Sequence, residues 1–445
     1  MKYTAIYSKR CWIENEISEA TIHFHNGVIN KIEKTKPQDF THILNAGNFI
    51  LMPGVIDVHV HVNEPGRSSW EGFDTATKAA AAGGITTIID MPLNASPVTT
   101  NKKNFDLKLK ATKDQLHVNC GFYGGLVPGN EMEIESMIEA GVLGIKAFLT
   151  HSGIEEFPNV GKQELDRIMP LLARYQVPLL VHCEISDKEK HSDLHSHPES
   201  YQQYLSSRPD SWENDAVAMM IDLCRKHSCP VHIVHVSSSG SLSLIEAAKK
   251  EGLPLSAETC PHYIFFNAEE IQDGDCTFKC APPIRNEKNK VELKLALKNG
   301  VLDLIASDHS PAPPEIKELT TGNLQKAWGG IAGLQFLLSA SWTSMKDIIS
   351  IEKFIPLLTS HPAEFLKIHD KKGFIKPGYD ADFVIWSPEQ SFVVKEESIL
   401  HKHKISPYVS RTLSGKVEYC FVNGEQVYAD QSINIKNAGK WVLRK

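Results

Sequence analysis

The chain has 445 residues, 42% of them hydrophobic and 23% charged, with a formal net charge of −7; that is enough apolar material for a large core and argues against disorder. Acids and bases are interspersed without a basic patch, so a nucleic-acid partner is not expected. Nine cysteines without a CxxC pair point to reduced thiols. The opening "MKYTAIYSKRCWIENEI" lacks a secretory core, and no run of eighteen apolar residues occurs, so a cytoplasmic protein without a membrane span is expected.

In chain order, the first fifty residues read as short strands, with "ATIHFHNGVINKIE" placing two β-rich runs around an Asn-Gly hairpin signal. A different texture follows. Eight short apolar runs, "GVIDVHVH", "ITTIIDMP", "HVNCGFYGGL", "GVLGIKAFL", "VPLLVHCE", "CPVHIVHVS", "LPLSAETCPHY" and "VLDLIASDHS", have the brevity and β-branched content of buried parallel strands. Helical candidates separate most of them: "DTATKAAAAGG", "EIESMIEAG", "ELDRIMPLLARYQ", "DAVAMMIDLCRKH", "GSLSLIEAAKKEG" and "NKVELKLALKNG". Eight such units predict an α/β chain folded as a (β/α)8 barrel, residues 53–374. A doubly wound sheet lacks support, because no GxGxxG opens a helix after the first strand. The polar, histidine-rich "HSDLHSHPESYQQYLSSRP" reads as a solvated loop or the start of a surface helix more readily than as a metal tract. The C-terminal "DADFVIW", "KVEYCFVNGEQVYA" and "KWVLRK" are β-rich again, with a second Asn-Gly. The two ends, 1–52 and 375–445, are therefore expected to pair into one small β-sandwich domain.

The C-terminal ends of barrel strands form the rim where chemistry is done. There the first run carries His59 and His61, the fourth Lys146, the fifth His182, the sixth His235 and the eighth Asp308. Side chains two apart on a strand share a face, so His59 and His61 can point at one ion. Taken singly, each residue has an ordinary reading: a histidine as a bonded rim residue, Lys146 reaching water, Asp308 capping a loop. His232 and His235 are three apart and should face opposite sides; the C-terminal position favours His235. As a set at equivalent strand ends they read as a metal site. Lysine is the odd member, since an ammonium repels a cation. A buried amine has a lowered pKa, and the neutral form takes up CO2 to give a carbamate whose two oxygens can bridge two ions. Cys183, Cys260 and Cys280 lie near strand ends, but no Cys-His-Asn arrangement accompanies them, so packing is the better account.

These residues resemble the cyclic-amidohydrolase branch of the amidohydrolase superfamily, which includes dihydroorotases, hydantoinases and allantoinases. "MPGVIDVHVHVNEPGR" is similar to the HxH entry of that branch, and "AGGITTIIDMP", "KAF", "HCE", "HVSSS", "ETCPHY", "APPIR" and "ASDHSP" follow in order. The resemblance implies that His59 and His61 bind a first divalent ion, His182 and His235 a second, and carboxylated Lys146 bridges them. Asp308 would bind the first ion and shuttle a proton. Zinc is the expected metal, with cobalt, manganese or iron as alternatives. A small-molecule substrate and a homotetramer or dimer are implied too.

Dihydroorotases carry an arginine two past the HxH pair to hold a carboxylate, where this chain has Asn63. The stretch from Asn63 to Thr100 is instead similar to the allantoinase members, which implies ring-opening hydrolysis of allantoin to allantoate by a water activated between the ions. Hydantoinase (dihydropyrimidinase) or dihydroorotase activity is the runner-up. A non-catalytic scaffold relative is a third reading, disfavoured because the ligand set is complete. Asn63, Asn94, Cys280, Ser310 and Gly330 are the expected substrate contacts.

Overall fold

The computed structural model describes residues 3–186, 197–434 and 437–445. The first part of the histidine-rich stretch, residues 191–196, lies outside them. Its later part forms the helix Tyr201–Ser207, capped by Ser200.

Each of the eight apolar runs contains a strand: β1 Val55–Val60, β2 Ile85–Asp90, β3 Asn119–Phe122, β4 Ile145–Phe148, β5 Leu179–His182, β6 Val231–Ile233, β7 Leu255–Thr259 and β8 Leu304–Ile305. Every consecutive pair is parallel, with β3 reaching β4 through its continuation Gly124–Gly125. A parallel bridge between Val60 and His309, with His61 N–H donating to His309 O at 2.8 Å, closes the ring. The barrel is a direct outcome of period-two alternation. Leu179 and Val181 face the outer core with the helices, while Leu180 joins Ile56, Val58, Ile89, Val234 and Leu304 in the lumen. Each fully buried aliphatic side chain of this kind contributes about 1.5–3 kcal/mol. The same alternation turns His182 inward from β5, and Lys146 and Phe148 inward from β4.

The six expected helices are present, and among the others Lys102–Ala111 lies between β2 and β3. Its buried face is only Phe105 and Lys108, so no apolar stripe announced it. Lys108 forms an ion pair with Asp90 in which both side chains are fully buried. Asp90 also accepts from Val62 N–H at 2.9 Å, and Lys108 Nζ donates to Glu64 O at 3.1 Å. The pair thereby fixes the loop that leaves β1.

Both chain ends supply a nine-stranded sheet. Its seam is Ile50–Pro53, antiparallel to Phe383–Val393 and parallel to Ala5–Ile13. Alternate residues serve two cores: Ile50, Met52, Val384 and Trp386 pack toward the barrel, and Leu51, Phe383 and Ile385 pack within the small domain. Phe24 and Phe383 stand three strand spacings apart in sheet order, about 14 Å if the sheet were flat. Their ring centroids are 5.6 Å apart, so the sheet folds back on itself as a sandwich.

"KWVLRK" departs from expectation. Trp441 and Val442 pair in parallel with Cys120 and Gly121 of β3 instead of joining the small sheet. The physical reason is the break of β3 at Tyr123. Asn119–Phe122 bonds β2 and Gly124–Gly125 bonds β4, which leaves one edge of Asn119–Phe122 to be filled by the chain end.

Candidate metal centre

His59 lies within β1 and His61 just beyond it; Lys146 is in β4, and His182 ends β5. His235 and Asp308 lie past the ends of β6 and β8 with φ of 40° and 44°, and Asn63 and Asn94 have φ of 68° and 66°. Non-glycine residues adopt this left-handed region at a cost of roughly 1–3 kcal/mol. The backbone thus turns sharply at four strand ends. That turn corrects the expectation that His232 and His235 face opposite sides, because strict alternation stops where the strand does. Both enter the interior at different depths. His232 sits between outward-facing Val231 and Ile233, bonded to Ser256 Oγ at 2.7 Å and Glu258 Oε2 at 3.0 Å. His235 lies above it, its Nε2 3.0 Å from His182 Nδ1.

The donor atoms converge. His59 Nε2 and His61 Nε2 are 3.2 and 3.4 Å from the same oxygen, Asp308 Oδ1. Ring centroids of His59 and His235 are 5.4 Å apart, which brings the two imidazole pairs side by side. Ligands held tetrahedrally at 2.0–2.1 Å from an ion are about 3.3 Å from each other, so these separations fit donors around cations. The outer ring nitrogens are held by carboxylates. Glu258 Oε1 lies 2.5 Å from His59 Nδ1, and Glu184 Oε2 lies 2.7 Å from His182 Nε2. Accepting N–H from those nitrogens leaves the lone pairs of His59 Nε2 and His182 Nδ1 directed inward. Lys146 Nζ is fully buried, has no hydrogen-bond partner among the described residues, and lies 5.0 Å from the Phe148 ring centroid.

The electrostatics follow burial. Desolvation pushes the Lys146 ammonium down to about 8, His61 down to about 4, and His182 and His235 below their ordinary value. These three imidazoles are therefore neutral, the form that donates a lone pair. Burial alone would raise the carboxyls, but their partners outweigh it. His59 and His232 hold Glu258 at about 2, Arg208 and His182 hold Glu184 well below the carboxylate range, and His59, His61 and His235 do the same for Asp308. Among the described residues, Cys260, His262 and Asp308 also come within ligand distance of one another. Burial pushes the Cys260 thiol well up, which agrees with packing.

Glu184, Glu258 and Arg208 were not anticipated. Glu184 was within reach, two past His182 in the same apolar run, whereas Glu258 is a lone carboxylate in an apolar run whose partners come from β1 and β6.

The centre forms the floor of a cavity of about 1080 Å3. Of the expected substrate contacts, Asn94 and Ser310 line it, and Asn63, Cys280 and Gly330 do not. Asn63, turned by its left-handed φ, donates from Nδ2 to Pro311 O at 3.3 Å. Cys280 O accepts from Tyr204 Oη at 2.6 Å. At Gly330 a Cβ would lie 2.5 Å from Ser310 O and Oγ, so that glycine permits a close backbone approach; its neighbour Gly329 faces the cavity. Trp70 and Trp328 meet edge to face at 4.9 Å on one wall. The two lining arginines are engaged, Arg67 with Glu156 at 2.7 Å and Arg208 with Glu184. No helix among the described residues is long and apolar enough to cross a membrane.

The profile of the amidohydrolase family matches residues 50–427. An allantoinase from Arabidopsis thaliana is 42% identical over 96% of this chain and 88% of its own length. An allantoinase from Saccharomyces cerevisiae is 40% identical, covering 96% and 92%. The structure of the L-hydantoinase (dihydropyrimidinase) from Arthrobacter aurescens superposes with a TM-score of 0.92 at 29% identity, over 100% of both chains. The eight-stranded barrel, the donor set on its rim and these similarities together place the chain in the amidohydrolase family.

Proposed function

We propose that the protein hydrolyses allantoin to allantoate, using two divalent ions, zinc by preference, in a small-molecule site. The observation that carries this reading is the donor set, four imidazoles and a carboxylate around a buried, unpartnered lysine, in a chain that is 42% identical to an allantoinase. His59, His61 and Asp308 would hold one ion and His182 and His235 the other. Lys146, taking up CO2 with release of a proton, would bridge them as a carbamate. The ions, when bound, polarise a carbonyl and acidify a water. Asp308 accepts the water proton at a carboxylate oxygen and returns it to the ring nitrogen as the C–N bond breaks and the C–O bond forms. Glu258 and Glu184 keep His59 and His182 in the tautomers that present a lone pair. Allantoin is a neutral hydantoin ring bearing a ureido group, and a cavity whose lining arginines are already paired suits it better than the dihydroorotate carboxylate.

Residues 53–374 are read as the catalytic unit, with 1–52 and the later residues as its scaffold. Nine buried free cysteines suit a reducing compartment such as the cytoplasm, and a homotetramer or dimer is the proposed assembly. The likeness to the Arthrobacter aurescens structure favours hydantoin as a second substrate reading. Metal-loaded protein tested side by side on allantoin, hydantoin and dihydroorotate decides between them. Turnover of allantoin with a kcat/KM at least tenfold above the others is expected; turnover of dihydroorotate without allantoin would overturn the proposal.

A further inference from the structure

We infer that Lys317 is a positioning residue that holds two cavity-wall segments, residues 279–281 and 325–330, in one arrangement competent to receive the substrate ring. The inference rests on the cyclic-amide reading of the cavity. Lys317 is 3% exposed, and its Nζ donates to three backbone carbonyls: Lys279 O at 2.8 Å, Trp328 O at 3.1 Å and Gly330 O at 2.5 Å. An ammonium has three N–H donors, and here each finds a carbonyl. Lys279 is buried as well. Its Nζ donates to Gln325 O at 3.1 Å and Ala327 O at 2.5 Å, and lies 5.2 Å from the Tyr204 ring centroid. Two ammoniums therefore grip five carbonyls, and the carbonyl of one lysine is held by the side chain of the other. The gripped segments carry Ala281, Trp328 and Gly329 into the cavity wall. Gly330 packs against Ser310, and Ser310 N–H donates to Ile331 O at 2.9 Å, so the grip reaches the loop that bears Asp308.

A lysine that served stability alone would be cheaper as an apolar residue of similar volume, since burying an ammonium is costly unless every donor is paired. Burial pushes Lys317 down to about 7 and Lys279 down to about 8, while the carbonyls favour the charged form. The titratable groups facing Lys317 include Cys280, Lys279, Cys276, Asp275 and His262. A neutral amine keeps two donors and turns a lone pair on the third carbonyl. As pH rises through the Lys317 titration the grip therefore loosens.

The test compares metal-loaded wild type with Lys317→Met, which keeps the unbranched apolar stem and removes the donors. Expected are unchanged metal content, a KM for allantoin at least tenfold higher with kcat within threefold, and a smaller rise in KM between pH 6 and pH 8 than wild type shows, the part that Lys279 contributes at higher pH remaining. Amide hydrogen exchange at residues 325–330 should be at least tenfold faster in Lys317→Met, a readout independent of turnover. Unchanged KM together with unchanged exchange overturns the inference, as does loss of metal in step with activity. If Lys317→Met does not fold, Lys279→Met breaks the other half of the grip and, because Lys279 itself lines the cavity, is read by hydrogen exchange: it must give the same faster exchange at residues 325–330, and failure to do so overturns the inference too. If wild type opens hydantoin but not allantoin, the substrate reading fails while the grip is judged on hydantoin, and if it opens neither, exchange alone decides.

Discussion

Removing the Glu258 carboxylate tests how the centre is built. Glu258 is fully buried and accepts from His59 Nδ1 at 2.5 Å and His232 Nε2 at 3.0 Å. Being held at about 2 instead of 4.5 means that the folded protein favours the anion by about 3 kcal/mol. That stabilisation is fully present above pH 4.5 and is lost as pH falls toward the folded value. Glu258→Ala strands two buried imidazole N–H groups, at about 1–3 kcal/mol each, so a loss of roughly 2–6 kcal/mol is expected. Glu258→Gln is milder. Its carbonyl still accepts from His59, and its amide can donate to His232 if that ring turns its own N–H to Ser256 Oγ, 2.7 Å away. What Gln loses is the charge that would make His59 a stronger ligand for the proposed ion, and partners of this kind alter metal affinity about 10–100-fold. Denaturant unfolding gives the stability, and metal content after gel filtration in metal-free buffer gives the affinity. Full metal content and a kcat/KM within twofold of wild type in Glu258→Ala would refute the reasoning.

Lys146→Ala should remove metal and activity together, by at least a hundredfold in kcat/KM, and a short-chain carboxylic acid should restore part of both; a fully active variant rules out the bridging role. Lys108→Met leaves Asp90 buried without its partner and should cost about 3–5 kcal/mol in denaturant unfolding, with Asp90→Asn recovering much of it; a cost under 1 kcal/mol contradicts the account of the pair. His401 is fully buried, and burial, with His309 alongside, pushes it down to about 3. The unfolded chain takes up this proton near 6.5 and the folded chain does not, so stability falls with pH across that window by up to about 1.4 kcal/mol per pH unit. His401→Leu should flatten the dependence by that amount between pH 6 and pH 4, and an unchanged slope would show that His401 is already protonated in the folded state.

The eight strands and the rim residues were legible because both follow local rules. Short β-branched runs mark buried parallel strands, and a polar residue ending such a run marks the rim. Legibility failed where partners are distant or backbone leaves the ladder. Glu258 is an isolated carboxylate until β1 and β6 are brought beside it. His232 and His235 could not be placed by alternation once the backbone turned to positive φ. Lys317 sits in a polar stretch with no apolar spacing, and the carbonyls that define it come from residues eleven and more positions away. Asn63 separated the chain from the dihydroorotases by its identity, yet its side chain serves the loop at Pro311 rather than lining the cavity.

The seam of the small sheet sets a clock on folding. Pro53 pairs with Phe383, so the strand Ile50–Pro53 is synthesised roughly 330 residues before its antiparallel partner. At about 5–20 residues per second, that interval is on the order of 20–70 seconds. Throughout it, Ile50, Leu51 and Met52 form an apolar strand with one edge unmet, immediately ahead of β1 and the rim histidines His59 and His61. A nascent chain has to shield this edge, by its own early strands or by a holding factor, or lose material to aggregation before the site exists.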